Sequence, residues 1–201
     1  MNWNIIKTNW FSLALLLLYC LTFGNGNTAH KMPALPKETT FGLAAANNEP
    51  HVLPHEVNQS KATAFLKRFA SVAVSERKKF GVPASILLAS AFLNSNAGNS
   101  PAALNAHNFF ALPCTSDWEG ETATMGTGCV RKYESPWASW RDYSIYLTSC
   151  EWFGVTHKAS GKDWKKWTKN LKGKDISNIA NFEDKLAEVI AYYRLYELDQ
   201  L

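Results

Sequence analysis

Residues 83–112 read PASILLASAFLNSNAGNSPAALNAHNFFAL, and the first dozen positions set the architecture. Pro83 stands where a helix tolerates proline best, at its first position. Ile86, Leu87, Leu88, Ala91, Phe92 and Leu93 then make a helix that is apolar nearly all round. A helix without a polar face belongs in the centre of a domain. Ser100-Pro101 pairs an N-cap residue with a proline that cannot donate a hydrogen bond, so a short second helix begins there and runs through Asn105.

The flanks supply the layers that cover this central helix. Before it, Ala62, Phe65, Leu66, Phe69, Val72 and Ala73 recur at helical spacing with Lys67, Arg68, Glu76 and Lys78 between them, and Gly81 ends the run. After it, Ser135-Pro136 starts a longer helix through Cys150. Two more helices are expected around Asp163 to Leu171 and Asn181 to Glu197. Between Phe109 and Tyr133 the pattern changes to Gly120, Gly126, Gly128 and several threonines, which suits a small β-hairpin lobe. The expected fold class is α+β, mainly helical, over residues 58–201.

The ends of the chain read differently. Lys7, the apolar run from Phe11 to Tyr19 and the small residues Gly24 and Gly26 have the order of a secretory signal over residues 1–26. The run is shorter than the ~20 residues of a membrane-spanning helix. Cys20 offers a second processing route, acylation as a lipoprotein, against which bulky Tyr19 argues. Residues 27–57 carry Pro33, Pro36, Pro50 and Pro54 without periodicity and read as a linker. Its histidines, His30, His51 and His55, lack the spacing of metal ligands. No cofactor is expected.

Composition narrows the function classes. The chain has 201 residues, 46% hydrophobic and 19% charged, which excludes disordered, collagen-like and coiled-coil proteins. Twenty-one Lys and Arg against 17 Asp and Glu give +4, or +3 once Lys7 is removed with the signal. The excess is mild and favours an anionic surface over nucleic acid as a partner. The segment HKASGKDWKKWTKNLKGKD concentrates seven lysines at residues 157–175; Trp164 and Trp167 are expected to dock its helix while the lysines face solvent. In an exported protein, Cys114 and Cys129 bracket the β lobe and are expected to form a disulfide, leaving Cys150 as a buried free thiol.

Two stretches then carry a family resemblance. PASILLASAFLNSNAGNSPAALNAHNFFAL resembles the core of the bacterial glucosaminidase domain, the mannosyl-glycoprotein endo-β-N-acetylglucosaminidase-like branch of the lysozyme superfamily (glycoside hydrolase family 73 type). That core reads Ala-Gln-Ala-x-Leu-Glu-Ser-Gly-Trp-Gly-x-Ser, then Ala-x-x-x-Asn-Asn-x-Phe-Gly-Ile. CVRKYESPWASWRDYSIYL is similar to the family's Cys-Phe-Arg-Lys-Tyr segment at Arg131, Lys132, Tyr133, Ser135, Ser139, Asp142 and Leu147. The resemblance implies a lysozyme-like fold acting on the β-1,4 bond after N-acetylglucosamine in peptidoglycan. It also implies a general acid at the end of the buried helix, where apolar surroundings keep a carboxyl protonated.

That acid position is Asn94 here, and an amide donates hydrogen bonds but delivers no proton to a leaving sugar. Other departures cluster with it: Asn96 and Ala97 replace the Gly and Trp, Ala111 replaces the Gly of Asn-x-Phe-Gly, and Gly128 replaces an acidic residue. Asn96 tolerates a left-handed backbone, so the turn is expected to persist. Glu119 and Glu121, in the β lobe, and Glu134 are the alternative carboxylates. Asn108, Phe109, Trp118, Tyr133 and Tyr143 are candidates for lining a glycan groove, with core packing the competing reading for the rings, favoured for Phe109. The expectation is an exported, periplasmic or surface domain that binds peptidoglycan or a related N-acetylglucosamine glycan without cleaving it. Its alternatives are an active glucosaminidase with a relocated carboxylate and a module that binds an envelope protein.

Overall fold

The computed structural model describes residues 57–126 and 128–201; the expected signal segment and almost all of the expected linker lie outside them. Helix α1 (Gln59–Phe80) starts where Asn58 Oδ1 accepts from the backbone N–H groups of Ser60 and Lys61. It ends at left-handed Gly81, whose N–H bonds to the Arg77 carbonyl. Every residue of helix α2 (Ala84–Asn94) is buried, as its all-round apolar surface dictates.

Pro83 offers α2 no capping side chain, so the cap comes from the far end of the chain. Asp199 accepts from Ser85 N–H at 2.9 Å and from Ser85 Oγ at 2.5 Å. A carboxylate at a helix N-terminus also meets the positive end of the macrodipole. Helix α3 (Pro101–Ala106) and helix α4 (Pro136–Ser149) begin at the serine caps read from the sequence, Ser100 Oγ to Ala103 N–H and Ser135 Oγ to Ala138 N–H.

Strands β1 (Thr122–Met125) and β2 (Gly128–Arg131) form an antiparallel hairpin with Thr122 opposite Arg131 and Met125 opposite Gly128. The Cys114–Cys129 disulfide is present, and a bridge between Pro113 and Val130 extends the lobe. Buried Val130 packs on Ala102 and Ala106 of α3, and Tyr133 N–H bonds to the Ala106 carbonyl, so the hairpin is anchored to the helical body.

The C-terminal half differs in two places from the sequence expectation. An additional helix, α5 (Phe153–Ser160), follows α4, and its Phe153 ring stacks on His157 and contacts Trp167. Helix α6 (Trp164–Leu171) is capped by Asp163. It buries Trp167 completely and stacks Trp164 on Tyr196, leaving Lys165, Lys166 and Lys169 in solvent as expected. The last helix is shorter than the expected span to Glu197: α7 covers Phe182–Tyr192. Left-handed Arg194 interrupts it, and a 3₁₀ helix over Leu195–Gln200 carries Asp199 to the start of α2.

The core is aromatic and continuous. Phe69 stacks on Trp140 at 5.3 Å and Phe110 on Tyr143 at 3.9 Å, while the carboxylate of buried Glu76 accepts from Arg141 Nε and Nη2 at 2.8 Å each and ties α1 to α4. The result is a mainly helical α+β domain with one small β lobe.

Candidate functional site

Helix α2 delivers Asn94 to the end of the central layer, where it is only 5% exposed. Its Nδ2 donates to the Ser90 carbonyl at 2.8 Å, and its Oδ1 accepts from Ser177 Oγ at 2.8 Å. Ser177 lies in the 172–181 connection between α6 and α7, and its hydroxyl also accepts from Ile179 N–H. A second clamp from the same connection is the Asp175 carbonyl, which accepts from Tyr146 OH at 2.8 Å. The amide at position 94 is therefore used on both sides, one half donating to a carbonyl and the other accepting from a hydroxyl.

The turn after Asn94 keeps its left-handed form without the glycine and tryptophan of the motif. Asn96 and Ala97 both have φ 50° and Gly98 has φ 84°, and Ser95 Oγ holds the turn by accepting from Gly98 N–H at 2.9 Å. The expected persistence of the turn at Asn96 is met. Ala111, at the Gly position of Asn-x-Phe-Gly, is left-handed as well, with φ 51°. For residues bearing a Cβ this region costs about 1–2 kcal/mol each.

On the lobe side, Arg131 ties the hairpin to α4. It donates from Nη1 to Asp142 Oδ2 at 2.8 Å, from Nη2 to Thr115 Oγ1 and from Nε to the Pro113 carbonyl, while its guanidinium covers the Trp118 ring at 4.6 Å. Tyr133 OH donates to the same Asp142 oxygen at 2.6 Å. Burial and the Asp142 charge push the Tyr133 phenol far above its ordinary range, so it acts as a hydrogen-bond donor and not as an acid.

The alternative carboxylates stand in solvent. Glu119 and Glu134 are exposed. Glu121 is exposed on 75% of its side chain and pairs with Lys132 at 2.7 Å, and that ammonium holds its pKa below the usual carboxylate range. A general acid needs the opposite shift, produced by burial away from cations. Cys150 is a free thiol as expected but only half-buried, and that burial pushes it up to about 11, leaving it without thiolate character at neutral pH.

Burial corrects part of the expected glycan-lining set. Asn108 is fully buried: its Nδ2 donates to the Leu112 and Arg131 carbonyls, and its Oδ1 accepts from Phe110 and Leu112 N–H groups. It braces the backbone around Ala111 and has no donor or acceptor left for a sugar. Tyr143 is also fully buried, sandwiched on Phe110, and lines no groove. Phe109, at 5% exposure, packs mainly in the core and shows only an edge to the surface groove beside α1, and Tyr133 shows only 7% of its surface. Trp118 is half-buried and edge-on to Tyr133. Ser177, Tyr146 and the Arg131–Asp142 pair complete the site. The resemblance had flagged Arg131 and Asp142 as matching positions, but nothing local marks Ser177, which meets Asn94 across 83 positions of sequence.

The family described as mannosyl-glycoprotein endo-β-N-acetylglucosaminidase matches residues 70–195, well over half of the chain. Exo-glucosaminidase LytG of Bacillus subtilis (strain 168) is 24% identical over 177 residues, covering 80% of this chain; the chain spans 62% of the length of that relative. Among solved structures, the catalytic domain of the autolysin Auto from Listeria monocytogenes superposes with a TM-score of 0.58 at 21% identity, covering 71% of this chain and 89% of that one. The peptidoglycan hydrolase from Sphingomonas sp. A1 superposes at 0.56 and 24% identity, covering 67% and 91%. Both share the arrangement of a helical body with a small β lobe. Because the family matches residues 70–195, the range that holds the buried helix, the hairpin lobe and the Arg131–Asp142 pair, this chain belongs to the glucosaminidase family.

Proposed function

We propose that this domain is a catalytically degenerate member of the glucosaminidase family that holds peptidoglycan, or a related N-acetylglucosamine glycan, at the cell envelope without cleaving it. The observation that carries this reading is the bonding of Asn94. At the position where the motif has its acid, an amide is buried, satisfied on both sides and closed over by Ser177. Protonating a leaving oxygen contributes about 10²- to 10⁴-fold in glycoside cleavage. Neither lobe carboxylate has the buried, cation-free setting that would replace it; Glu121 has the reverse. Export, whether with ordinary cleavage or with acylation at Cys20, accords with the relatives' names, since an autolysin and a peptidoglycan hydrolase share this fold.

The test uses the purified domain on insoluble sacculi, measuring release of reducing ends together with co-sedimentation. Co-sedimentation without release is expected. Release of reducing ends that is abolished by Glu119→Gln or Glu121→Gln would overturn the reading and assign the acid to the β lobe. Absence of co-sedimentation would overturn glycan binding and favour the envelope-protein module.

A further inference from the structure

Beside the turn that follows Asn94 lies a groove of about 480 Å³, bounded by α1, α3 and that turn. Its volume is within the range of ligand sites, roughly 300–1,000 Å³. Phe65, Ala97, Leu104 and Phe109 form an apolar side on which Leu104 is 63% exposed. Lys61 and Arg68, one face of α1 at spacing seven, stand exposed along the rim, and no acidic side chain lines the groove. Among the described residues neither cation has an ion-pair partner; Arg68 only leans over the Phe69 ring at 5.0 Å. Ala97 opens onto this space at the position where the resembled motif carries a tryptophan.

We propose that this groove binds the anionic peptide stems of peptidoglycan strands, an inference that rests on the peptidoglycan reading of the domain. The argument is charge and shape complementarity. Two cations that no described acid neutralises, beside a small apolar surface, match a ligand that joins free carboxylates to methyl-sized side chains, as alanine-containing acidic stems do. An uncharged sugar chain would leave both cations without a partner. The reach is also right. Ala97 follows Asn94 by three residues, so their Cα atoms lie within about 11 Å of each other. A strand held beside this turn therefore has its peptide branch within reach of the groove.

Binding of the purified full chain is to be measured by titration calorimetry against three probes: a soluble muropeptide with its tetrapeptide stem, the same glycan stripped of its stem with the lactyl carboxyl capped as a neutral amide, and an acidic peptide of unrelated sequence. Wild type is expected to bind the stem-bearing probe at least tenfold more tightly than the stripped glycan. The double variant Lys61→Glu/Arg68→Glu, both positions on the exposed face of α1, is expected to erase that difference while leaving stripped-glycan affinity unchanged. Ala97→Trp, which fills the groove from the turn, is expected to do the same. Equal affinity for stem-bearing and stripped glycan overturns the proposal while the glycan reading stands. Equal affinity for the unrelated acidic peptide overturns stem recognition in favour of a general acidic-peptide site. Binding of no probe overturns both readings.

Discussion

Replacing Asn94 by aspartate tests whether position 94 is an open catalytic station or a sealed structural joint. The substitution keeps size and shape and changes one donor into an acceptor. Nδ2 faces the Ser90 carbonyl at 2.8 Å, so the ionised variant sets a carboxylate oxygen against a carbonyl oxygen in a site only 5% exposed. The protonated variant, by contrast, donates to the Ser90 carbonyl and accepts from Ser177 Oγ just as the amide does. Burial and the unfavourable carbonyl contact both raise the folded-state pKa of the new carboxyl, and buried carboxyls shift by as much as 3–5 units. With about 2 units, the loss at neutral pH is about 3 kcal/mol at 1.36 kcal/mol per unit. The sign follows from proton binding. Below about pH 4 the carboxyl is protonated folded and unfolded, and Asn94→Asp is close to wild type. Between about pH 4 and pH 6 the native state keeps a proton that the unfolded chain releases, so stability falls as pH rises, and above that range the deficit is constant. Urea unfolding followed by tryptophan fluorescence at pH 3.5, 5 and 7 measures it. A gap below about 0.5 kcal/mol at pH 7 would refute the reasoning, because it would mean that the side chain swings freely into water. Ser177→Ala in the same assay is expected to lose about 1 kcal/mol at every pH, the worth of one neutral hydrogen bond.

Three further outcomes follow from the same contacts. Tyr143→Phe is expected to leave stability within about 0.5 kcal/mol of wild type or to raise it, because the buried Tyr143 hydroxyl has no partner in good hydrogen-bond geometry; lost sacculus binding in that variant would restore Tyr143 to the glycan site. Burial raises the pKa of Asp199 despite its bonds to Ser85, so wild type is expected to lose stability relative to Asp199→Asn as pH rises through the acid range, and parallel urea curves at pH 3.5 and 6 would contradict this. Cys114→Ser/Cys129→Ser opens a 15-residue loop, at a cost of up to about 3 kcal/mol in the chain-entropy account, and hydrogen exchange is expected to accelerate first in the β lobe, not in α2.

What was legible in the sequence was what local chemistry encodes. Ser100-Pro101 and Ser135-Pro136 each open a helix where their capping chemistry places it, and the helix expected from about Asp163 starts one residue later. The unbroken apolar surface of Ile86 to Leu93 reads directly as the central helix. The structure goes beyond the sequence reading where partners are remote. Asp199 caps α2 across 114 positions and Ser177 clamps Asn94 across 83, and no spacing rule connects either pair. Helix α5 lacks a clean period because Gly154 interrupts a short segment that is stabilised by ring contacts to Trp167. The aromatic candidates illustrate the same limit. Tyr143 and Trp118 look alike as site residues in sequence, yet one is packed flat on Phe110 and the other sits on the lobe under Arg131. Periodicity states that a ring faces inward and does not say whether inward is core or cleft.

The departures from the family motif divide by what each position does for the backbone. Ala97 and Ala111 retain the left-handed turn geometry although each costs about 1–2 kcal/mol there with a Cβ present. Such conformations persist only where surrounding contacts over-determine them. Ser95 Oγ bonding to Gly98 N–H holds the first, and Asn108 Oδ1 accepting from both Phe110 and Leu112 N–H holds the second. The turns are thus kept at some energetic cost, while in the function proposed above the chemistry at their centre has changed. At Asn94 the replacement is matched to its neighbours, a donor facing a carbonyl and an acceptor facing a hydroxyl. A glutamate is one methylene longer and, ionised, lacks the donor, so it cannot occupy the same bonds. In the function proposed above, an acid placed here must also be freed from the Ser177 hydroxyl, which donates to a carboxylate as readily as to the amide and would hold it away from a sugar oxygen. For that reason Asn94→Glu/Ser177→Gly, and not Asn94→Glu alone, is the combination from which any glycan cleavage is to be sought.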